Sequence, residues 1–148
     1  MRASLRQLLL GLVLLGIVGL EVELALLRHA DSFSQWLPHI CLLIGLVVTA
    51  LIYFRPTTAV LRVFQALMVI YLVIGALGVY LHFRGNVEFV LERYPTLGGL
   101  QLVWKALRGA TPALAPGALA QLGLLGLLYT YRHPTFGGGG AVAPDAVE

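Results

Sequence analysis

The sequence predicts an all-α, polytopic membrane protein: a four-transmembrane-helix bundle with a short exoplasmic amphipathic helical segment between helices 3 and 4. Three observations carry this expectation. Four apolar runs stand at about 8–27, 37–54, 63–83 and 113–131, each close to the ~20 residues a helix needs to cross a ~30 Å hydrocarbon core. Of the 148 residues, 59% are hydrophobic and only 11% charged, with a mean hydropathy of +0.88, whereas a soluble domain carries roughly 25% charged residues. Nearly every ionisable side chain falls between the runs or at their ends. The length suits one domain over 1–132, followed by a tail over 133–148.

The first run follows Arg2 and Arg6, an order that resembles the start of a secretory signal. A cleavage site would need small residues one and three positions before the cut. The best stretch, 27–30, offers Ala30 but puts Arg28 at the other position. The segment therefore reads as an uncleaved anchor; its removal would leave three spans. Glu21 and Glu23 lie near its far end, on nearly opposite sides of the helix. Glu21 shares an arc with Arg28 and is expected to pair with it or to reach the headgroups.

Pro56 ends the second helix, and 55–62 makes a tight turn. Residues 28–36 form a short loop at the other side. With four spans both termini share a side, and the basic residues tie: Arg2, Arg6, Arg55, Arg62 and Arg132 against Arg28, Arg84, Arg93, Lys105 and Arg108. The short loop with Arg55 and Arg62 holds no acid, while Asp31, Glu88 and Glu92 sit opposite. These break the tie toward cytoplasmic termini. The Leu-, Ala-, Gly- and Arg-rich composition suits a bacterial inner membrane.

The long connection, 84–112, has structure of its own. Asn86 is a good N-cap, with Glu88 in the following turn, so a separate helix is expected to start there. Pro95 and Gly98-Gly99 then break the chain. Leu100, Val103, Trp104 and Leu107 recur at helical spacing opposite Gln101, Lys105 and Arg108, the pattern of a helix lying in the membrane interface. The alternative is a lid packed on the helix ends. The tail from His133, with four consecutive glycines, reads as a flexible cytoplasmic extension.

Helices in lipid gain little by hiding apolar surface, so small residues mark close contacts. Gly16/Gly19, Gly75/Gly78 and Gly123/Gly126 repeat one spacing in three spans. Extending the first two arcs by a turn reaches Glu23 and His82, which predicts that these parallel helices oppose their glycine faces and bury Glu23 against His82. Gln65, Gln121 and Thr49, inside spans, are expected to hydrogen-bond between helices. Trp36, Tyr53, Tyr80, Phe83, Tyr94, Trp104 and Tyr131 fall where interfacial aromatic belts belong.

His29, His39 and His82 gather on one side with Glu88 and Glu92, residue types that hold a divalent metal. They lack any diagnostic spacing, and Glu88 and Glu92 read equally as a solvated face neutralised by Arg84. His39 and His82 also suit axial haem ligation, though nothing supports the macrocycle. No cofactor is strongly implied. Ser32 and Ser34 lie near His29, Asp31 and His39 without a nucleophile elbow, phosphate loop or metalloprotease motif. Cys41 stands alone inside a span as an apolar filler. The net charge of +3 comes from scattered basic residues, not from a phosphate-tracking patch; the partner expected is the bilayer, not nucleic acid.

Function is therefore read by class. The expected one is a non-enzymatic accessory or scaffold subunit that uses its exoplasmic face to meet a membrane-protein partner or a second copy. Ion, proton or divalent-metal binding or transport through Glu23 and His82 is the alternative, and a lipid-modifying membrane enzyme the weakest.

Overall fold

A computed structural model of the chain describes residues 4–28 and 30–137. Those residues are helical, with no strand among them: α1 (Leu5–Leu26), α2 (Phe33–Phe54), α3 (Thr58–Arg93), α4 (Gly99–Leu107), α5 (Gly117–Thr130) and a one-turn α6 (Pro134–Gly137). Three helices are long and apolar enough to cross a membrane: α1, α2 from Gln35 onward, and α3. The fourth apolar element, α5, has 14 residues, about 21 Å of helix.

Local chemistry sets the helix ends. Ser4 and Gln7 form a capping box, the Gln7 amide donating to Ser4 Oγ at 3.3 Å and the Ser4 amide to Gln7 Oε1 at 2.8 Å, which satisfies donors a helix start leaves open. Arg55 takes an extended φ of −146°, as the residue before a proline must. Thr57 then caps α3 by accepting the Val60 amide, so the α2–α3 turn is tighter than 55–62.

α3 departs most from expectation. It does not stop at Phe83 and restart at Asn86; it runs unbroken for 36 residues, about 54 Å. Asn86 is no N-cap because its side chain is turned away from its own backbone and engaged elsewhere, as described below. A single Gly85 costs a helix only about 1 kcal/mol, too little to break it there.

α3 and α5 make the most extensive packing pair; α1 packs on α2 and α5, while α3 also meets α2 and α4. The glycine pairs act here. A Cβ on Gly75 would overlap the Ala120 backbone and the Pro116 carbonyl, and one on Gly78 would press on Pro116. Gly123 lies against Met68 and Leu72, and Gly126 against Met68 and Phe64. Gly16 admits Leu122 of α5, but Gly19 has nothing within 4 Å. Phe64, Met68 and Tyr71 of α3 are fully buried with Val13, Ile17, Leu42 and Leu122 around them.

The ends of α1 and α5 meet at one end of the bundle. The Arg6 guanidinium donates to the carbonyls of Tyr129 (2.7 Å), Tyr131 (3.2 Å) and Arg132 (2.9 Å). These are carbonyls a helix C-terminus leaves open. Just beyond, His133 is buried, and burial together with the Arg6 charge lowers its pKa. The ring accepts the Thr135 amide at Nδ1, and Thr58 donates to the Thr135 carbonyl. The first residues of the expected tail are thus folded onto the bundle; 138–148 lie outside the described residues.

Alanine at Gly123 should lower stability by about 1–3 kcal/mol through overpacking, read as a lower thermal midpoint in detergent. Alanine at Gly11, which has open space around it, should be neutral or mildly stabilising. Equal effects at the two positions would contradict the packing described.

Candidate functional site

The polar chemistry inside the bundle is a pair between α1 and α2. The buried stripe of α1 runs Leu10, Val13, Ile17, and one further turn along it stands Glu21. Its carboxylate lies 2.9 Å from Nδ1 of His39 on α2. His39 is buried, with its side chain 9% exposed, and the Glu21 side chain is 29% exposed. The second carboxylate oxygen, Oε2, is buried with no hydrogen-bond partner among the described residues. Trp36, one turn before His39, lays its ring 5.6 Å from the imidazole. One helical layer deeper, the Tyr71 hydroxyl donates to the Cys41 carbonyl at 2.9 Å, and Gly45 leaves the space that hydroxyl occupies.

Glu21 therefore pairs across the bundle rather than with Arg28 of its own helix. The structure does not bring Glu23 and His82 together. Glu23 is exposed on the outer side of α1, and among the described residues no ion pair or hydrogen bond is found between the two. The reason is the helix arrangement: α1 meets α2 and α5, and the glycine face of α3 is occupied by α5, not α1. His82 shares its Nδ1 with the Pro112 carbonyl at 3.1 Å, fixing the start of the α5 segment.

The metal candidates also disperse. His39 is bonded to Glu21 and His82 to Pro112. Glu88 accepts from Arg84 at 2.8 Å in an exposed i,i+4 pair, which raises the Arg84 pKa. Glu92 is exposed, and His29 lies outside the described residues. Among the described residues no three His, Cys, Asp or Glu side chains gather. Of the interhelical donors expected, Gln65 reaches Thr130 Oγ1 at 3.2 Å. Gln121 is exposed and the buried Thr49 hydroxyl has no partner.

A second polar node, at the other end of the bundle from the Arg6 clamp, is Asn86. The side-chain amide can make four hydrogen bonds, and all four are made. Nδ2 donates to the carbonyls of Ala106 (2.9 Å) and Thr111 (2.7 Å). Oδ1 accepts the Thr111 amide (3.2 Å) and hydroxyl (2.6 Å). Gly109 lies directly over this amide, where any Cβ would collide with it. α4 is thereby fastened against α3 through buried Ala106 and Val90. Its apolar residues are not hidden by this contact: Leu100 is 81% and Trp104 61% exposed, with Val103 also exposed. Trp36 and Tyr94 are exposed at the same end.

The chain matches no family model, curated protein or solved structure.

If the Glu21–His39 pair is a clamp, Glu21→Gln keeps an acceptor for the imidazole and should cost less than about 1 kcal/mol, whereas His39→Leu strands the carboxylate and should cost about 3–5 kcal/mol. Thermal unfolding in detergent measures both, with Glu23→Gln as a neutral reference. A Glu23→Gln penalty as large as that of His39→Leu would contradict the assignment of Glu21 as the buried acid.

Proposed function

We propose that this protein is a non-enzymatic accessory or scaffold subunit of a membrane assembly, acting through the end of the bundle that carries α4. One observation carries the reading. α3 continues about 15 Å past Phe83 and is fastened to α4 by an amide with every valence filled. The result is a preformed surface with exposed Phe89, Leu100 and Trp104 rather than a loose connection. Rigid surfaces with aromatic anchors are what interfaces use.

The chain is proposed to cross the membrane four times, with both termini cytoplasmic and α4 exoplasmic, in a bacterial inner membrane. The fourth crossing is supported by how far the α5 segment follows α3. Pro112 meets His82 at one end and Thr135 meets Thr58 at the other, a stretch of about 36 Å of α3. The short helix is extended by the turns at 112–116 and 131–137. The acid-free turn with Arg55 supports the orientation.

A second reading, proton or cation binding within the bundle, is favoured by the Glu21–His39 pair and its unpartnered oxygen, since ionisable groups at membrane depth are functional candidates by default.

Photo-crosslinkers placed at Leu100 and Trp104 should trap one protein at stoichiometric yield in native membranes, and crosslinkers at lipid-facing Val18 and Val22 should not. Glutamate at Leu100 and Trp104 should abolish the adduct without altering the fold. Equal, diffuse labelling from all four positions would contradict the accessory reading. Loss of cellular function in Glu21→Gln with adducts intact would favour the second reading.

A further inference from the structure

Two adjoining open cavities lie along α4, and the second reaches the extension of α3. One, of about 480 Å³, is walled by Leu97, Gln101, Trp104, Lys105 and Arg108. The other, of about 330 Å³, is walled in part by Phe89, Arg93 and Tyr94 and shares Lys105 and Arg108. Neither wall contains a carboxylate among the described residues. Among the described residues Arg93, Lys105 and Arg108 form no ion pair, in contrast to Arg84, which is occupied by Glu88. Two of the three cations are instead held by rings. The Lys105 ammonium lies 3.9 Å over Tyr94 and the Arg108 guanidinium 5.8 Å over Trp104. A ring face positions a cation but accepts none of its N–H donors as a carboxylate would.

Depth fixes what such a groove meets. Arg108 adjoins Gly109, which lies on Asn86, three residues past Phe83 and so only about 5 Å farther along α3. The headgroup layer is roughly 5–8 Å thick on each side of the hydrocarbon. The groove thus opens at phosphate level at Arg108 and reaches outward along α3 to Arg93, about 10 Å beyond Asn86. An acidic protein segment would meet the same charges, but the groove opens beside the end of an apolar run long enough to cross a membrane, where lipid headgroups stand within reach.

We propose that this groove binds the phosphate of an anionic phospholipid headgroup, with Arg93 and Arg108 as fork-shaped donors, Lys105 as a point charge and Gln101 as a donor to the headgroup's esters or hydroxyls. Arginine matches phosphate oxygens in pairs, and charge-assisted bonds of this kind are the strong ones. The site goes beyond the accessory reading and does not need a protein partner on the same face.

The test is native mass spectrometry of the full chain, titrated with phosphatidylglycerol, phosphatidylcholine or inorganic phosphate. The expected result is one tightly retained phosphatidylglycerol per chain, phosphatidylcholine held at least tenfold more weakly, and no displacement by excess inorganic phosphate. Each of Arg93→Gln, Lys105→Gln and Arg108→Gln should weaken the anionic lipid about fivefold, from about 1 kcal/mol per basic residue at a membrane surface. Lys105→Arg should retain it, and Arg62→Gln, at the opposite end, should change nothing. Helical content by circular dichroism confirms that each variant is folded. Equal retention of the two lipids, or unchanged binding in the folded triple glutamine variant, overturns the proposal. Inorganic phosphate binding without lipid selectivity overturns the lipid as its source.

Discussion

A buried primary amide must fill its hydrogen bonds from the chain itself, because water does not reach it to supply them. At Asn86 that requirement organises a whole end of the molecule. Two of its bonds hold the carbonyls of Ala106 and Thr111, and two hold the amide and hydroxyl of Thr111. The chain leaving α4 must therefore pass over α3 at one defined height, and it does so at Gly109 because no side chain fits there. That crossing delivers Pro112 to His82 and Pro116 to Gly78, so the start of the α5 segment is placed by the same node. α3 itself runs helical to Arg93 and gives α4 something to lie along.

Below this node the bundle is asymmetric. α3 and α5 approach backbone to backbone at Gly75 and Gly123, and side chains of Pro116, Met68 and Phe64 fill the space left at Gly78 and Gly126, the kind of contact that replaces the hydrophobic effect between helices in lipid. α1 is held by a narrow apolar stripe, Leu10, Val13 and Ile17, and by polar bonds near its two ends. Arg6 caps α5 at one end, and Glu21 bonds His39 near the other. Each meets a local need for partners: open carbonyls for Arg6, and one oxygen of a carboxylate within an apolar run for Glu21. Together they hold a helix whose apolar face is largely turned to lipid.

The apolar runs and the α4 pattern were legible because length and periodicity are properties of the segment alone. The glycine spacing marks close approach at five of its six positions, Gly19 being open, but carries no information about which helix fills the space. The partner of Gly75 and Gly78 is α5, and so the inference to Glu23 and His82 fails. Glu21 sits on the i, i+4 arc through Val13 and Ile17, yet that arc is invisible in a run where every face is apolar. Asn86 read as a cap because its partners, Ala106 and Thr111, lie 20 and 25 residues on. Tyr71 and Gly45 were missed likewise: a tyrosine hydroxyl seated over a glycine is a contact between helices, not a motif in either.

The claim that Asn86 fixes the α4 surface is tested most directly by hydrogen–deuterium exchange on the chain in lipid nanodiscs, comparing it with Asn86→Ala. Removing the amide leaves buried partners unsatisfied at about 1–3 kcal/mol each. The account predicts that exchange over residues 99–111 rises by ten- to a hundredfold or more (~1.4 kcal/mol per tenfold), while the α3–α5 contact around Gly123 keeps its protection. Unchanged exchange over 99–111, or an equal rise throughout α3 and α5, would contradict it.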